Sequence, residues 1–243
     1  MKCGDDMKVC FFSDIHGNLY AFEEFLRQCD KLEIDQYIFC GDVFGYYYDQ
    51  NTILSKLRSM KNLNAVKGNH DQYYLDFCLT EKGEDQLVKK YGNSYKGIMS
   101  RISAENQVFI ENMPDSLVLE IEGKIIGVFH GSLKDPINGR VYPDTTLLKG
   151  DGYEKFDYVI HGHTHYRMMR NLQSTTVINP GSIGQPRDKN GFSFATLTLP
   201  NGIVEFQEIN WDRQLLIRDI EKYDAGNQKL IDILFRNGET NHE

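Results

Sequence analysis

The chain has 243 residues, an ordinary globular composition and a formal net charge of −8 at pH 7. That length can bury a substantial core, and the negative balance argues against a broad nucleic-acid surface or attachment to an anionic membrane. Five cysteines (Cys3, Cys10, Cys29, Cys40 and Cys78) are odd in number with no C-x-x-C pair, which predicts free thiols in a reducing compartment, the cytoplasm, rather than a disulfide framework.

In chain order, "MKCGDDMK" has no apolar stretch suited to a signal peptide, and no window reaches membrane-spanning length. Residues 1–6 read as an extension, with the first strand starting at Met7. "KVCFFSD" (8–14) is an apolar run ending in Asp. After Gly17, Leu19, Phe22, Phe25, Leu26 and Cys29 recur at helical spacing. "QYIFCGD" (36–42) and, after an amphipathic stretch at 52–60, "LNAVKGNHD" (63–71) repeat the design. Strands alternating with helices predict parallel βαβ units, whose chemistry lies at the carboxyl ends of the strands. Residues 72–113 read as a charged helical insertion near the site. "LVLEIEGKIIGVFHG" (117–131) predicts a hairpin about Glu122-Gly123, and "FATLTLPNGIVEFQEIN" (194–210) another about Pro200-Asn201-Gly202. Residues 211–243 read as a C-terminal helix, from Trp211 to about Phe235, and a tail. No repeat or linker divides the chain, so 1–243 reads as one domain.

The polar residues at these strand ends form five clusters: Asp14-x-His16, Gly41-Asp42, Gly68-Asn69-His70-Asp71, His130-Gly131 and His161-Gly-His163-Thr-His165. Six of the seven histidines fall in them, and His242 lies in the tail. A shared metal centre explains that concentration once, where turn and capping roles would have to explain it strand by strand. Imidazole, carboxylate and amide donors without thiolate suit Mn, Fe, Zn, Co or Ni. They are too many for one four-coordinate ion, and two ions sharing a carboxylate account for the number. Two dications ~3.7 Å apart repel by about 18 kcal/mol at an effective dielectric of ~20. Two carboxylates and a hydroxide leave positive charge that suits an anionic phosphate.

The ordered set "DIHGN", "GDVFG", "GNHD", "HGS" and "HGHTH", followed by "NPGS" (179–182) and "GQPRD" (184–188), resembles the calcineurin-like metallophosphoesterase superfamily, in its small bacterial and archaeal phosphodiesterase-like branch. The resemblance runs from about residue 8 to 210. It implies an α/β fold, a four-layer α/β/β/α sandwich of two mixed β-sheets flanked by helices, with metals between the sheets. It further implies that Asp14, His16 and His165 bind one divalent ion, that Asn69, His130 and His163 bind a second, and that Asp42 bridges them, with Mn²⁺ the favoured metal. His70 would be the acid protonating the leaving oxygen while metal-activated hydroxide attacks phosphorus. Asp71 has two roles open, holding the His70 imidazole or capping a helix. His163 and His165 face one way if 161–165 stays extended. Alternation would turn His161 with them, and only the resemblance argues against it as a ligand.

Arg187 could reach a phosphate or form a surface salt bridge. Tyr46, in "GYYYD" (45–49), could stack on a nucleobase or aryl leaving group or pack against the inserted helices. Protein Ser/Thr phosphatases of the superfamily continue Asp-Arg-Gly after the bridging aspartate. Here the chain reads "GDVFGYY", without that bidentate clamp for a monoester. The expected activity is therefore hydrolysis of a small phosphodiester. Two rivals stand beside it: a phosphomonoesterase acting on a nucleotide or phosphoprotein, and a non-catalytic protein-binding scaffold, which predicts eroded ligand positions.

Overall fold

The computed structural model describes residues 6–146 and 150–235. Cys3, His242, residues 1–5 of the expected extension and residues 236–243 of the expected tail lie outside them. The core follows from strands buried on both faces. In β1 (Met7–Phe12), Val9 and Phe11 point one way and Cys10 and Phe12 the other, and all four are fully buried. α1 (Leu19–Leu32) starts at Asn18, whose side chain accepts from the Ala21 N–H, and ends at Glu33 in the left-handed region. Its buried Ala21, Phe22, Phe25 and Cys29 pack on the Cys10–Phe12 face.

β2 (Gln36–Phe39), α2 (Gln50–Ser59) and β3 (Leu63–Ala65) complete the βαβ units, with β1, β2 and β3 parallel in register Val9 to Gln36 and Tyr37 to Leu63. α3 (Asn69–Thr80), α4 (Glu84–Tyr91) and α5 (Ala104–Glu111), with 3-10 turns at Asn93–Tyr95 and Ile98–Ser100, fill the segment expected as a helical insertion. β4 (Ser116–Ile121) and β5 (Lys124–Phe129) form the first expected hairpin. β6 (Tyr158–Ile160), β7 (Arg167–Leu172) and β8 (Thr175–Pro180) follow, then β9 (Ser193–Leu199) and β10 (Ile203–Glu208), the second hairpin.

Two mixed five-stranded sheets result, ordered β10-β9-β1-β2-β3 and β4-β5-β6-β8-β7. Val9, Phe11 and Ile38 of one sheet and Ile126, Val128, Ile160 and Ile178 of the other make one apolar cluster, so the sheets pack face to face. Helices cover the far side of the first sheet. Phe129, Val159 and Val177 on the far side of the second are closed by Val141 and by Tyr153 of the 3-10 turn Tyr153–Lys155. The C-terminal run differs from the single helix expected: α6 (Arg213–Tyr223) and α7 (Gln228–Leu234) are separated by Asp224–Asn227. Asp224 is drawn away from the helical path because its carboxylate accepts from the Asn93 N–H and the Tyr48 hydroxyl, and Gly226 turns with φ 85°.

Candidate metal centre

The parallel strands β1, β2, β3, β5 and β6 all deliver their carboxyl ends to one place, and the five polar clusters meet there. Five of the seven expected ligands sit on left-handed backbone: Asp14 (φ 57°), His16 (50°), Asp42 (69°), His163 (63°) and His165 (62°). Such conformations cost about 1–3 kcal/mol each and persist where surrounding bonds fix them. Here Asp14 N–H donates to Gly41 O at 2.9 Å, His16 N–H to Asp42 O at 3.1 Å, and His163 N–H to Asp14 Oδ2 at 3.2 Å. Gly68 matters for a different reason: a Cβ there would overlap Asp42 Oδ1.

Asp14, His16 and His165 form one group. His165 Nε2 lies 3.1 Å from Asp14 Oδ1 and 3.1 Å from His16 Nε2. Asp42, His130 and His163 form another, with His130 Nε2 3.3 Å from Asp42 Oδ2 and 3.0 Å from Asn69 Oδ1. Asp42 Oδ2 is also 3.8 Å from His16 Nε2, so this one oxygen faces both groups. Its partner Oδ1 accepts from the His70 N–H at 2.8 Å.

Proton positions follow from the partners. His16 Nδ1 is 2.7 Å from Phe44 O, His130 Nδ1 2.7 Å from Cys40 O, and His165 Nδ1 2.5 Å from Gln185 O. A carbonyl only accepts, so each Nδ1 carries the hydrogen and each Nε2 turns toward the centre. His163 Nε2 accepts from Arg140 Nε at 3.1 Å. Burial holds His16 down at about 4 and His163 at about 3, so both rings are neutral. Burial opposes ionisation of Asp14, but His165 and His130 outweigh it and lower the carboxyl to about 2. Burial likewise opposes charge on His130, yet Asp42 and Asp14 raise it to about 9.

His16 Nε2 and His165 Nε2 face each other at 3.1 Å, with His165 Nε2 also 3.1 Å from Asp14 Oδ1. Asp14 Oδ1 and Asp42 Oδ2 are buried carboxylate oxygens with no hydrogen-bond partner. A buried anionic oxygen without a donor is costly, and a cation at each group removes both faults. The residues therefore fit divalent ions, one facing Asp14, His16 and His165 and one facing Asn69, His130 and His163, with Asp42 between. Exposure is 0% at Asp14, His16, Asp42 and His130 but 5% at His70 and 8% at His163, so the centre opens on the side of these last two rings.

The structure bears on three readings left open by the sequence. The segment 161–165 is not extended: left-handed His163 and His165 turn the chain, and His161 points away, with Nε2 3.2 Å from Tyr153 Oη and its ring 6.1 Å from Phe129. Burial pushes His161 down to about 4, as for a neutral core imidazole. Asp71 does not touch the His70 ring. It caps α3 and accepts the N–H groups of Asp42 (2.8 Å), Val43 (2.8 Å), Phe44 (3.3 Å) and Gly68 (2.9 Å). Its burial and the Asp42 charge raise it to about 7 against those donors. Arg187 forms no ion pair among the described residues; its backbone N–H meets His165 O at 3.4 Å and its guanidinium faces the Tyr46 hydroxyl.

Tyr46 packs its ring 4.9 Å from His16 and 5.3 Å from His70, and 5.5 Å from Tyr91 of α4. Tyr47, by contrast, is a core residue. Arg140 had no signal in the sequence: one of two cations in the loop "SLKDPINGRVYPDT", it reads as surface until the fold brings it to His163.

The family model for the calcineurin-like phosphoesterase superfamily domain matches residues 7–202. An uncharacterized protein of Methanocaldococcus jannaschii is 28% identical over 227 residues, 84% of this chain and 88% of its own. A phosphodiesterase of the same organism is 24% identical over 179 residues, 72% of this chain and 83% of its own. A solved structure from Pyrococcus horikoshii, of a hypothetical protein, has a TM-score of 0.80 at 19% identity, covering 96% of this chain and 100% of that one.

Proposed function

We propose, from the premise that this chain belongs to the calcineurin-like phosphoesterase superfamily, that it is a phosphodiesterase working with two divalent ions, Mn²⁺ favoured, on a small phosphoester. One observation carries the reading: Asp14 Oδ1 and Asp42 Oδ2, buried and without donors, face the Nε2 atoms of His165, His16 and His130. Ions held there by these residues would supply Lewis-acid stabilisation and lower the pKa of a water nucleophile.

The chain's own residues do the rest. Asp14 and Asp42 bring two negative charges against two dications, and the residual positive charge favours an anionic phosphoester. Arg140, beside His163 on the open side, and Arg187, facing the Tyr46 hydroxyl, are two cations that could hold phosphoryl oxygens. His70, backbone-bonded to Asp42 Oδ1, would give the leaving oxygen a proton from Nε2 in its doubly protonated form, which burial disfavours in the free protein and an anionic phosphoester beside the ring favours. The diester preference draws on the missing Asp-Arg-Gly continuation and on the phosphodiesterase named among the relatives. The buried thiols Cys10, Cys29 and Cys40 are free, in keeping with a cytoplasmic protein, and no helix among the described residues is long and apolar enough to cross a membrane.

A monoesterase is the second reading, because Arg140 supplies at another position the guanidinium that the "GDVFGYY" segment lacks. Hydrolysis of bis-p-nitrophenyl phosphate and p-nitrophenyl phosphate under the same Mn²⁺ concentration separates the two. A higher kcat/KM for the diester is expected, and a monoester preference overturns the diesterase assignment.

A further inference from the structure

His70 needs something to fix its ring, and Asp71 does not supply it. The group hydrogen-bonded to the ring is Tyr95. Its hydroxyl oxygen lies 3.1 Å from His70 Nδ1 and 3.2 Å from His70 O. Tyr95 belongs to the 3-10 turn Asn93–Tyr95, far from every sequence motif, and is 1% exposed. The turn is itself held. Asn93 N–H donates to Asp224 Oδ2 at 2.8 Å, and the Arg101 guanidinium donates to Ser94 O and to Lys96 O.

One hydroxyl proton and two contacts leave a single fully bonded arrangement. The carbonyl of His70 can only accept, so Tyr95 donates to it and takes the Nδ1–H of His70 on its own oxygen. The neutral ring then has its proton on Nδ1, leaving Nε2 to take up the second proton that it passes to the leaving oxygen. Two further contacts remove the ring's freedom. A Cβ at Gly45 (φ 89°) would overlap the Nδ1 edge, and the Tyr91 ring stands 4.4 Å away at 63°.

We infer that Tyr95 is the positioning residue for His70, fixing by its hydroxyl both the orientation of the imidazole and which nitrogen carries the permanent proton. The inference rests on the reading of His70 as the leaving-group acid. Misplacing such a group costs turnover rather than ground-state affinity.

The test is Tyr95→Phe, which removes one oxygen and keeps the packing. ¹⁵N correlation spectra of the His70 ring in the metal-free protein should give a single Nδ1–H tautomer in the wild type and a mixture in the variant. With Mn²⁺ added, kcat should fall ~10–100-fold on a diester with an alkyl leaving group. It should fall far less on bis-p-nitrophenyl phosphate, whose leaving group needs little protonation, with KM and metal content unchanged. In a His70→Ala background the same substitution should cost nothing further. A neutral wild-type ring protonated on Nε2 alone, an unaltered tautomer in the variant, or equal losses on both diesters would overturn the inference. A wild type that hydrolyses no phosphoester defeats the functional reading alone, because the ring spectrum still decides whether Tyr95 sets the His70 proton.

Discussion

His16 Nε2 and His165 Nε2 stand 3.1 Å apart, although 149 residues separate them along the chain. Each ring gives its Nδ1 hydrogen to a carbonyl, Phe44 O in one case and Gln185 O in the other. Both Nε2 atoms and the buried Asp14 Oδ1 then converge on one point. Only a cation or a proton satisfies that arrangement.

Divalent metal should therefore stabilise the fold. Ligand at about 100 times its Kd adds about 2.7 kcal/mol, which for a chain of this size raises Tm by about 5–10 °C. A thermal melt with chelator against a melt with Mn²⁺ measures this, and coincident curves would count against the centre.

Metal uptake should release a proton near pH 7. His130 is raised to about 9 in the metal-free protein, above its ordinary 6.5, so it is charged at neutral pH and must lose its proton to become a ligand. Apparent affinity should rise about tenfold per pH unit up to about pH 9. The sign for stability is the reverse. The metal-free fold gains from His130 below pH 6.5, and that contribution is lost as pH climbs to about 9. Calorimetry in two buffers of different ionisation enthalpy counts the protons, and zero release contradicts the assignment.

Asp71 and His70 should separate by phenotype. Asp71→Asn puts an NH₂ against N–H donors that now meet a carboxylate oxygen, and should cost about 2–4 kcal/mol in a urea titration. His70→Ala should leave the metal content near wild type while turnover on poor leaving groups falls ~10²–10⁴-fold. Metal loss in His70→Ala would make His70 a ligand.

Arg140→Ala should raise KM for bis-p-nitrophenyl phosphate about tenfold, the scale of one partly solvated charge-assisted hydrogen bond, with metal content unchanged. An unchanged KM would remove Arg140 from the substrate's surroundings.

The strands and the turn residues of the site were legible because they are local. β1 shows as the continuous apolar run in "KVCFF", and the strand ends that build the site carry Gly or Asp. What the sequence hid is tertiary. The expected alternation of 161–165 failed because His163 and His165 take left-handed backbone, which bonds from Asp14 and neighbouring loops enforce. Asp71 was readable as a cap from its place at the start of α3, but its four donors come largely from the loop after β2. Tyr95 and Arg140 lie in segments with no periodicity or motif, and only folding brings their side chains to His70 and His163. The break at Asp224 was hidden for the same reason, since its partners Asn93 and Tyr48 are distant in the chain.

Elemental analysis of wild type and Asp42→Asn, coupled to hydrolysis of bis-p-nitrophenyl phosphate, bears most directly on the two-ion centre. About two ions per wild-type chain, with metal and activity falling together in Asp42→Asn, is the predicted result. A wild-type chain that takes up no divalent metal, or one that keeps full activity after chelation, would contradict it.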